Sequence, residues 1–198
     1  MKRQLLIATH NAGKLAELSA MLGETDLAVV SLRQFSGIVD VEETGVTFRD
    51  NAALKAAGYA RQAKTMTLAD DSGLEVEALG DRPGVFSARY GGADLGYPAK
   101  MKKLLDELTA TGDRTRKARF VCALAVADEG GNILFECGGI CSGQIAPQPR
   151  GSGGFGYDPI FIPDGHDDTF GELSESIKRE IGHRALAFRQ IIPFLRHF

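Results

Sequence analysis

What this chain has little of narrows its possible roles first. Three cysteines, Cys122, Cys137 and Cys141, occur in 198 residues, with no C-x-x-C pair and with the four histidines far away in sequence. An odd, unclustered set signals neither a disulfide framework nor a zinc site, so the cysteines read as small buried hydrophobes. Long apolar runs are missing too. The opening "MKRQLLIATHNAGK" sets only a short apolar stretch behind two basic residues, too little for a secretory leader or a bilayer span, and the expected location is cytoplasmic with no membrane partner. No long Lys/Arg cluster appears, and a net charge of −3 with interspersed signs argues against a nucleic-acid partner. Internal repeats and low-complexity linkers are absent, so residues 1–198 are expected to form one domain.

What is present is an ordinary globular share of apolar residues, 43%, enough for a sizeable core. The order of patterns predicts an α/β fold with a mixed central sheet flanked by helices. A strand over Gln4–Thr9, a loop "HNAG", a helix from Lys14 to about Leu22 and a strand over Leu27–Leu32 open the chain. Thr47 reads as the N-cap of a helix ending near Lys64. Two strands, Met66–Asp70 and Leu74–Ala78, are expected on either side of a Ser72-Gly73 turn, followed by a helix around Ala99–Leu108. Two long strands joined at Glu129-Gly-Gly-Asn132, a short apolar run Pro159–Ile162 and a helix from His183, kinked at Pro193, complete the reading.

Several stretches carry polar groups that a plain fold does not require. In "ATHNAGK" a strand ends in a small loop that opens a helix, an arrangement suited to anions. It is not a Walker A loop, because Ala8 and Leu15 stand where glycine and a hydroxyl residue belong. Thr9, Asn11 and Lys14 can offer a hydroxyl, an amide and an ammonium to phosphate oxygens; the alternative is helix capping by Asn11 with a solvated Lys14. The string "GSGGFG" at 151–156 matches G-x-G-x-x-G in form but is followed by Tyr157-Asp158-Pro159 rather than a helix, so the dinucleotide reading fails. It leaves a glycine-rich loop bearing Phe155 and Tyr157, either as a stacking wall for a ring or with both aromatics packed inward.

On the helix from Thr47, Lys55 falls at the edge of the apolar stripe formed by Phe48, Ala52, Ala56, Tyr59, Ala60 and Ala63, with Asn51 one turn before it. Such a lysine either snorkels to solvent or points inward as a cation for something negative. Glu42-Glu43 precedes this helix and Asp70-Asp71 ends the strand after it, so the acids can meet at one sheet edge. Gathered carboxylates call for a cation or a proton, and a hard divalent ion such as Mg²⁺ takes one or two of them plus waters and phosphate oxygens.

Five stretches in order, "ATHNAGK", "EETGVTFRDNAALKA", "LADDSGLEVEALGDRPGVFSARYGG", "GGFGYDPIF" and "KREIGHRALA", closely resemble the noncanonical purine nucleoside triphosphate pyrophosphatases, the inosine/xanthosine triphosphate pyrophosphatase family. The resemblance implies an elongated two-lobed domain with a cleft, commonly a homodimer. It also implies Mg²⁺-dependent hydrolysis of inosine, deoxyinosine and xanthosine triphosphates to the monophosphate and pyrophosphate. Carried over by position, Thr9, Asn11, Lys14 and Lys55 would hold phosphates. Glu43 and Asp71 would hold Mg²⁺, with Asp71 also the general base, and Ser72 would help position the substrate. Phe155 would stack on the purine, with Gly156, Tyr157, Asp158, Lys178, His183 and Arg184 around its edge. Two departures from the family pattern stand at His10 and Gly171.

Overall fold

A computed structural model describes residues 3–23 and 25–197. Its elements are β1 (Gln4–Ala8), α1 (Ala12–Leu22), β2 (Ala28–Ser31), α2 (Phe48–Ala63), β3 (Thr67–Val76), β4 (Arg82–Pro83), α3 (Tyr97–Thr111), β5 (Lys117–Ala127), β6 (Ile133–Ile145), β7 (Phe161–Pro163), α4 (Glu175–Ile181) and α5 (His183–His197). The strands form one sheet in the order β2-β1-β3-β5-β6-β7, with β4 paired to β3. β1 is parallel to both β2 and β3, whereas β4 lies antiparallel to β3 and β7 antiparallel to β6. The sheet is therefore mixed, as the pattern of elements predicts, and none of the described helices is long and apolar enough to cross a membrane.

The chain divides into two compact units. One takes in the chain up to Asp71, Cys122–Gly139 and the segment from Ala187 onward; the other takes in Ser72–Val121 and Ile140–Leu186. β3, β5 and β6 each run from one unit into the other, so neither unit is a continuous stretch of sequence. That is why no linker composition marks a boundary.

In the first unit Leu5 and Ile7 of β1, Leu68 of β3 and Cys122, Leu124 and Val126 of β5 line one sheet face. They pack on Leu18 and Leu22 of α1 and on Phe188, Ile191 and Leu195 of α5. Each such buried Leu, Ile or Phe contributes about 1.5–3 kcal/mol through removal from water. Leu6 and Ala69 point the other way by the period of two, toward the side where α2 buries Ala52, Ala56 and Ala60. α2 opens on a capping box, with Asp50 N–H donating to Thr47 Oγ1 at 3.1 Å and Thr47 N–H to Asp50 Oδ2 at 3.2 Å. It ends at Lys64, which adopts the left-handed conformation. The second unit is built on Leu74, Val76, Leu104, Leu108, Phe120, Ile145, Ile160, Phe161 and Phe170.

One element differs from expectation. The strands predicted on either side of a Ser72-Gly73 turn are one strand, β3, with "DDSG" inside it. Gly73 is there for close approach rather than for a turn. A Cβ on it would run into Ser87 Oγ and lie 2.7 Å from the Gly84 carbonyl oxygen, while the next amide, Leu74 N–H, donates to Ser87 Oγ at 2.9 Å. The last helix forms as expected, with α5 running from His183 to His197 and Pro193 inside it. The tip between β5 and β6 forms as predicted, closed by Asp128 Oδ1, which accepts from the Gly130 and Asn132 amides at 2.9 and 2.8 Å.

Gly73→Ala is expected to destabilise the protein by about 1–3 kcal/mol, the usual cost of forcing a methyl into filled space. A lowered urea midpoint at unchanged slope is the expected result, and an unchanged midpoint would contradict the close approach.

Candidate active site

Because Asp70 and Asp71 are consecutive in a strand, they leave it on opposite faces. Each meets its own lysine. Asp70, 1% exposed, lies on the α1 side and forms an ion pair with Lys14 through Oδ1, while its Oδ2 accepts from the Cys122 thiol at 3.1 Å. Asp71 lies on the α2 side, where Lys55 Nζ donates to Asp71 Oδ1 at 2.8 Å and to Glu43 Oε1 at 2.7 Å. Of the two alternatives for Lys55, the inward one is realised. Of the four acids, Glu43 and Asp71 converge on one cation, Asp70 serves another, and Glu42 is exposed.

The electrostatics follow from burial. Desolvation pushes the Asp71 carboxyl above its ordinary value, outweighing the pull of Lys55 and Lys14. Burial also penalises the Lys55 ammonium, but Asp71 and Glu43 together outweigh it and hold its pKa above the usual lysine value. The two directions are compatible, since Lys55 faces two carboxylates, whereas Asp71 has the neighbouring Glu43 charge added to its burial. Asp71 is therefore a stronger base than a solvated aspartate. Its Oδ2 is buried with no hydrogen-bond partner, an acceptor in place for a ligand atom, a water or a cation.

The loop before α1 is ordered by its own side chains. Thr9 Oγ1 accepts from the Asn11 amide at 3.1 Å, and Asn11 Oδ1 caps the helix by accepting from Lys14 N–H at 3.1 Å. Capping by Asn11 is therefore real. Lys14 is not solvated as in the alternative reading, however, because Asp70 holds it. The first turn of α1 contains no acid, so its positive end faces no carboxylate of its own. His10, one of the two departures, pairs with Asp40 at 2.7 Å on the exposed surface.

The second unit gathers the remaining candidates. Asp158 Oδ2 accepts from Phe155 N–H at 2.7 Å and from Lys178 Nζ at 2.5 Å, tying the glycine-rich loop to α4. Gly154, at φ +69°, permits this, since a Cβ there would land on that same carboxylate oxygen. The half-buried Phe155 ring has Lys178 Nζ 4.5 Å and Arg184 Cζ 5.7 Å from its centroid. Arg184 also donates to Ser72 Oγ at 2.9 Å, and buried His183 stacks on Phe120 with centroids 4.7 Å apart. Phe155, Asp158, Lys178, Arg184 and Ser72 thus form one connected group, and Gly156 follows Phe155 in the loop at φ +69°.

Tyr157 takes the inward alternative. Its ring turns into the core, edge-on to Tyr97, and its hydroxyl donates to the Ser87 carbonyl at 3.0 Å; burial raises its pKa. It anchors the loop instead of offering a second stacking face. The other departure, Gly171, is sterically required, because a Cβ would sit 2.5 Å from the Arg150 carbonyl oxygen and 2.9 Å from Pro159 Cα. Of two supporting residues, sequence reasoning notes Asn51, whose Oδ1 accepts from Gly45 N–H at 2.8 Å, without giving it a role, and misses Ser87. Asn51 has one signal, its place a turn before Lys55 on the same helix edge; Ser87 has none.

Comparison with known proteins agrees with this arrangement of motifs. Residues 5–194 match the family model described as the Ham1 family. A dITP/XTP pyrophosphatase of Halalkalibacterium halodurans is 43% identical over 194 residues, covering 98% of this chain and 99% of that protein. Another dITP/XTP pyrophosphatase, from Geobacillus kaustophilus, is 46% identical over 190 residues, covering 96% and 92%. Among solved structures, a HAM1 protein from Coxiella burnetii superposes with a TM-score of 0.91 at 38% identity, covering 99% of this chain and 100% of that one. With its motifs, its mixed sheet and these likenesses running over nearly its full length, the chain belongs to the Ham1 family.

Proposed function

We propose that this protein hydrolyses deaminated purine nucleoside triphosphates, ITP, dITP and XTP, with water attacking the α-phosphorus to release the nucleoside monophosphate and pyrophosphate. The observation that carries the proposal is the Glu43–Lys55–Asp71 cluster with its orphaned buried oxygen, Asp71 Oδ2. The names of the relatives, dITP/XTP pyrophosphatase, supply the substrate class.

The donors fit a hard divalent cation. Asp71 Oδ2 has no other partner, and Glu43 reaches the same lysine on a side chain 27% exposed. No group of three or more His, Cys, Asp or Glu residues gathers among the described residues, so the ion would be completed by waters and substrate phosphate oxygens, as suits Mg²⁺. When bound, Mg²⁺ would supply Lewis acidity at the phosphate oxygens. Asp71, made more basic by burial, takes the proton of the attacking water. Lys14 and Lys55 offset the negative charge that builds on the departing pyrophosphate, and the acid-free first turn of α1 orients the phosphate tail.

The base is assigned to the group around Phe155. Phe155 stacks on the purine, while Lys178 and Arg184 donate to its edge. A 6-oxo group accepts such a donor; the 6-amino group of adenine does not, and it leaves a desolvated cation unpaired. We further propose that the protein is cytoplasmic and acts as a homodimer.

Purified protein incubated with ITP and Mg²⁺ is expected to yield IMP and pyrophosphate in equal amounts, with kcat/KM for ITP far above that for ATP; release of orthophosphate instead would overturn the reaction assignment. Asp71→Asn should lower kcat by about 10²-fold or more, the scale of a lost general base, with ITP still bound, and a near wild-type rate would remove Asp71 from that role. Asp70→Asn should weaken pyrophosphate binding through Lys14, read by calorimetry. For Phe155→Ala the expected loss is about 1–3 kcal/mol of nucleotide affinity, the scale of base–aromatic stacking, and an unchanged Kd would place the base elsewhere.

A further inference from the structure

The residues before α2 are irregular in hydrogen bonding yet alternate in burial. Val41, Glu43 and Gly45 are half-buried, whereas Asp40, Glu42 and Thr44 are exposed. The inward set meets α2 turn by turn. Gly45 N–H donates to Asn51 Oδ1 at 2.8 Å, Glu43 receives Lys55 Nζ at 2.7 Å, and Val41 N–H lies 3.4 Å from Tyr59 Oη. Farther along, Gln62 takes both polar groups of Val39, accepting its N–H at 2.8 Å and donating to its carbonyl at 3.0 Å. An extended segment therefore runs antiparallel along α2, two of its residues for each helical turn. The segment is long enough: the helix from Asn51 to Gln62 spans roughly 16 Å at 1.5 Å per residue, and the segment from Gly45 back to Val39 reaches at most roughly 20 Å when fully extended.

Two sequence features that are costly elsewhere make sense here. Gly58 in the middle of α2 forfeits helix propensity, yet a Cβ there would lie 2.6 Å from Val41 Cγ2. Asn51 is 0% exposed, and its Nδ2 has no hydrogen-bond partner. Burying an amide with one donor unmet is unfavourable against an apolar side chain, so its retention points to the bond that Oδ1 makes with Gly45. Gly45 in turn has no room for a Cβ, which would fall 2.6 Å from Asp50 Cβ and 2.9 Å from Asn51 N.

We infer that Val39–Gly45 is a strap latched onto α2, and that Asn51, with Tyr59 and Gln62 behind it, is a positioning residue that fixes the Glu43 carboxylate beside Asp71. The inference rests on the function proposed above, which gives Glu43 a cation to hold. None of the three latch residues touches substrate in this scheme. Their influence falls off with distance from Glu43 along the strap, Asn51 and Tyr59 holding residues two away and Gln62 one four away.

The test measures Mn²⁺ affinity by electron paramagnetic resonance with saturating imidodiphosphate, alongside amide hydrogen exchange and urea denaturation. Asn51→Ala is expected to weaken Mn²⁺ binding about fivefold, the scale of one buried hydrogen bond, and to expose the Gly45 amide to exchange. Excess Mg²⁺ should restore kcat. Tyr59→Phe should have a smaller effect and Gln62→Ala less than either. Gly58→Ala, whose methyl would meet Val41, should weaken Mn²⁺ binding even though it raises helix propensity, with the urea midpoint separating this from lost stability. Gly45→Ala combined with Asn51→Ala should be less than additive, since both break one contact. Glu43→Gln separates the two levels. If it leaves Mn²⁺ affinity unchanged, the cation assignment fails, and exchange at Gly45 still decides the strap. Mn²⁺ affinity and Gly45 protection both at wild-type levels in Asn51→Ala and Gly58→Ala would overturn the inference.

Discussion

The first unit is organised around one buried cation. Lys55 Nζ sits within hydrogen-bond distance of Glu43 and Asp71, and all three side chains are largely withdrawn from water. Breaking a buried ion pair by removing one partner costs on the order of 3–5 kcal/mol, because the remaining charge has no replacement for water. Here the remaining charges would be two carboxylates facing one another. The helix that supplies the lysine, the strand that supplies one acid and the irregular segment that supplies the other are all constrained by that requirement. Under the function proposed above, the same constraint would prepare the chemistry, since carboxylates held together around a positive centre would accept a divalent ion once phosphates gave the lysine another partner.

Strand alternation then does what no local motif accomplishes. Two neighbouring aspartates with similar surroundings in sequence receive different roles because β3 sends them to opposite faces. Asp70 is sealed among Lys14, Cys122 and the core of α1 and α5, where it sets the position of a lysine. Asp71 faces α2, keeps one oxygen free of hydrogen bonds and has its basicity raised by burial. One residue of phase separates the acid that holds Lys14 from the acid to which we assign the proton transfer.

Much of this is legible in the sequence, and the failures have physical causes. Helix α2 announces itself through Thr47, its apolar stripe and the misplaced Lys55, because capping and periodicity are local properties. "DDSG" reads as the edge of a turn because Asp, Ser and Gly favour turns, and burial between neighbouring strands overrides that preference. Tyr157 and Phe155 look equivalent as two aromatics in a glycine-rich loop. The carbonyl of Ser87, seventy residues earlier, is what draws one inward, and no local pattern carries that information. The strap along α2 leaves only faint traces, a glycine inside a helix and an asparagine on a buried edge.

The way three strands carry the chain back and forth between the two units bears on how such a protein changes over generations. Neither unit can be cut out as a cassette, lent to another gene, or lost by a single truncation without tearing the other. Each crossing strand is also shared inheritance: a substitution that shifts its register moves residues in both units at once. Novelty in this architecture has to come from side chains and loop tips, because shuffling of whole modules is closed to it.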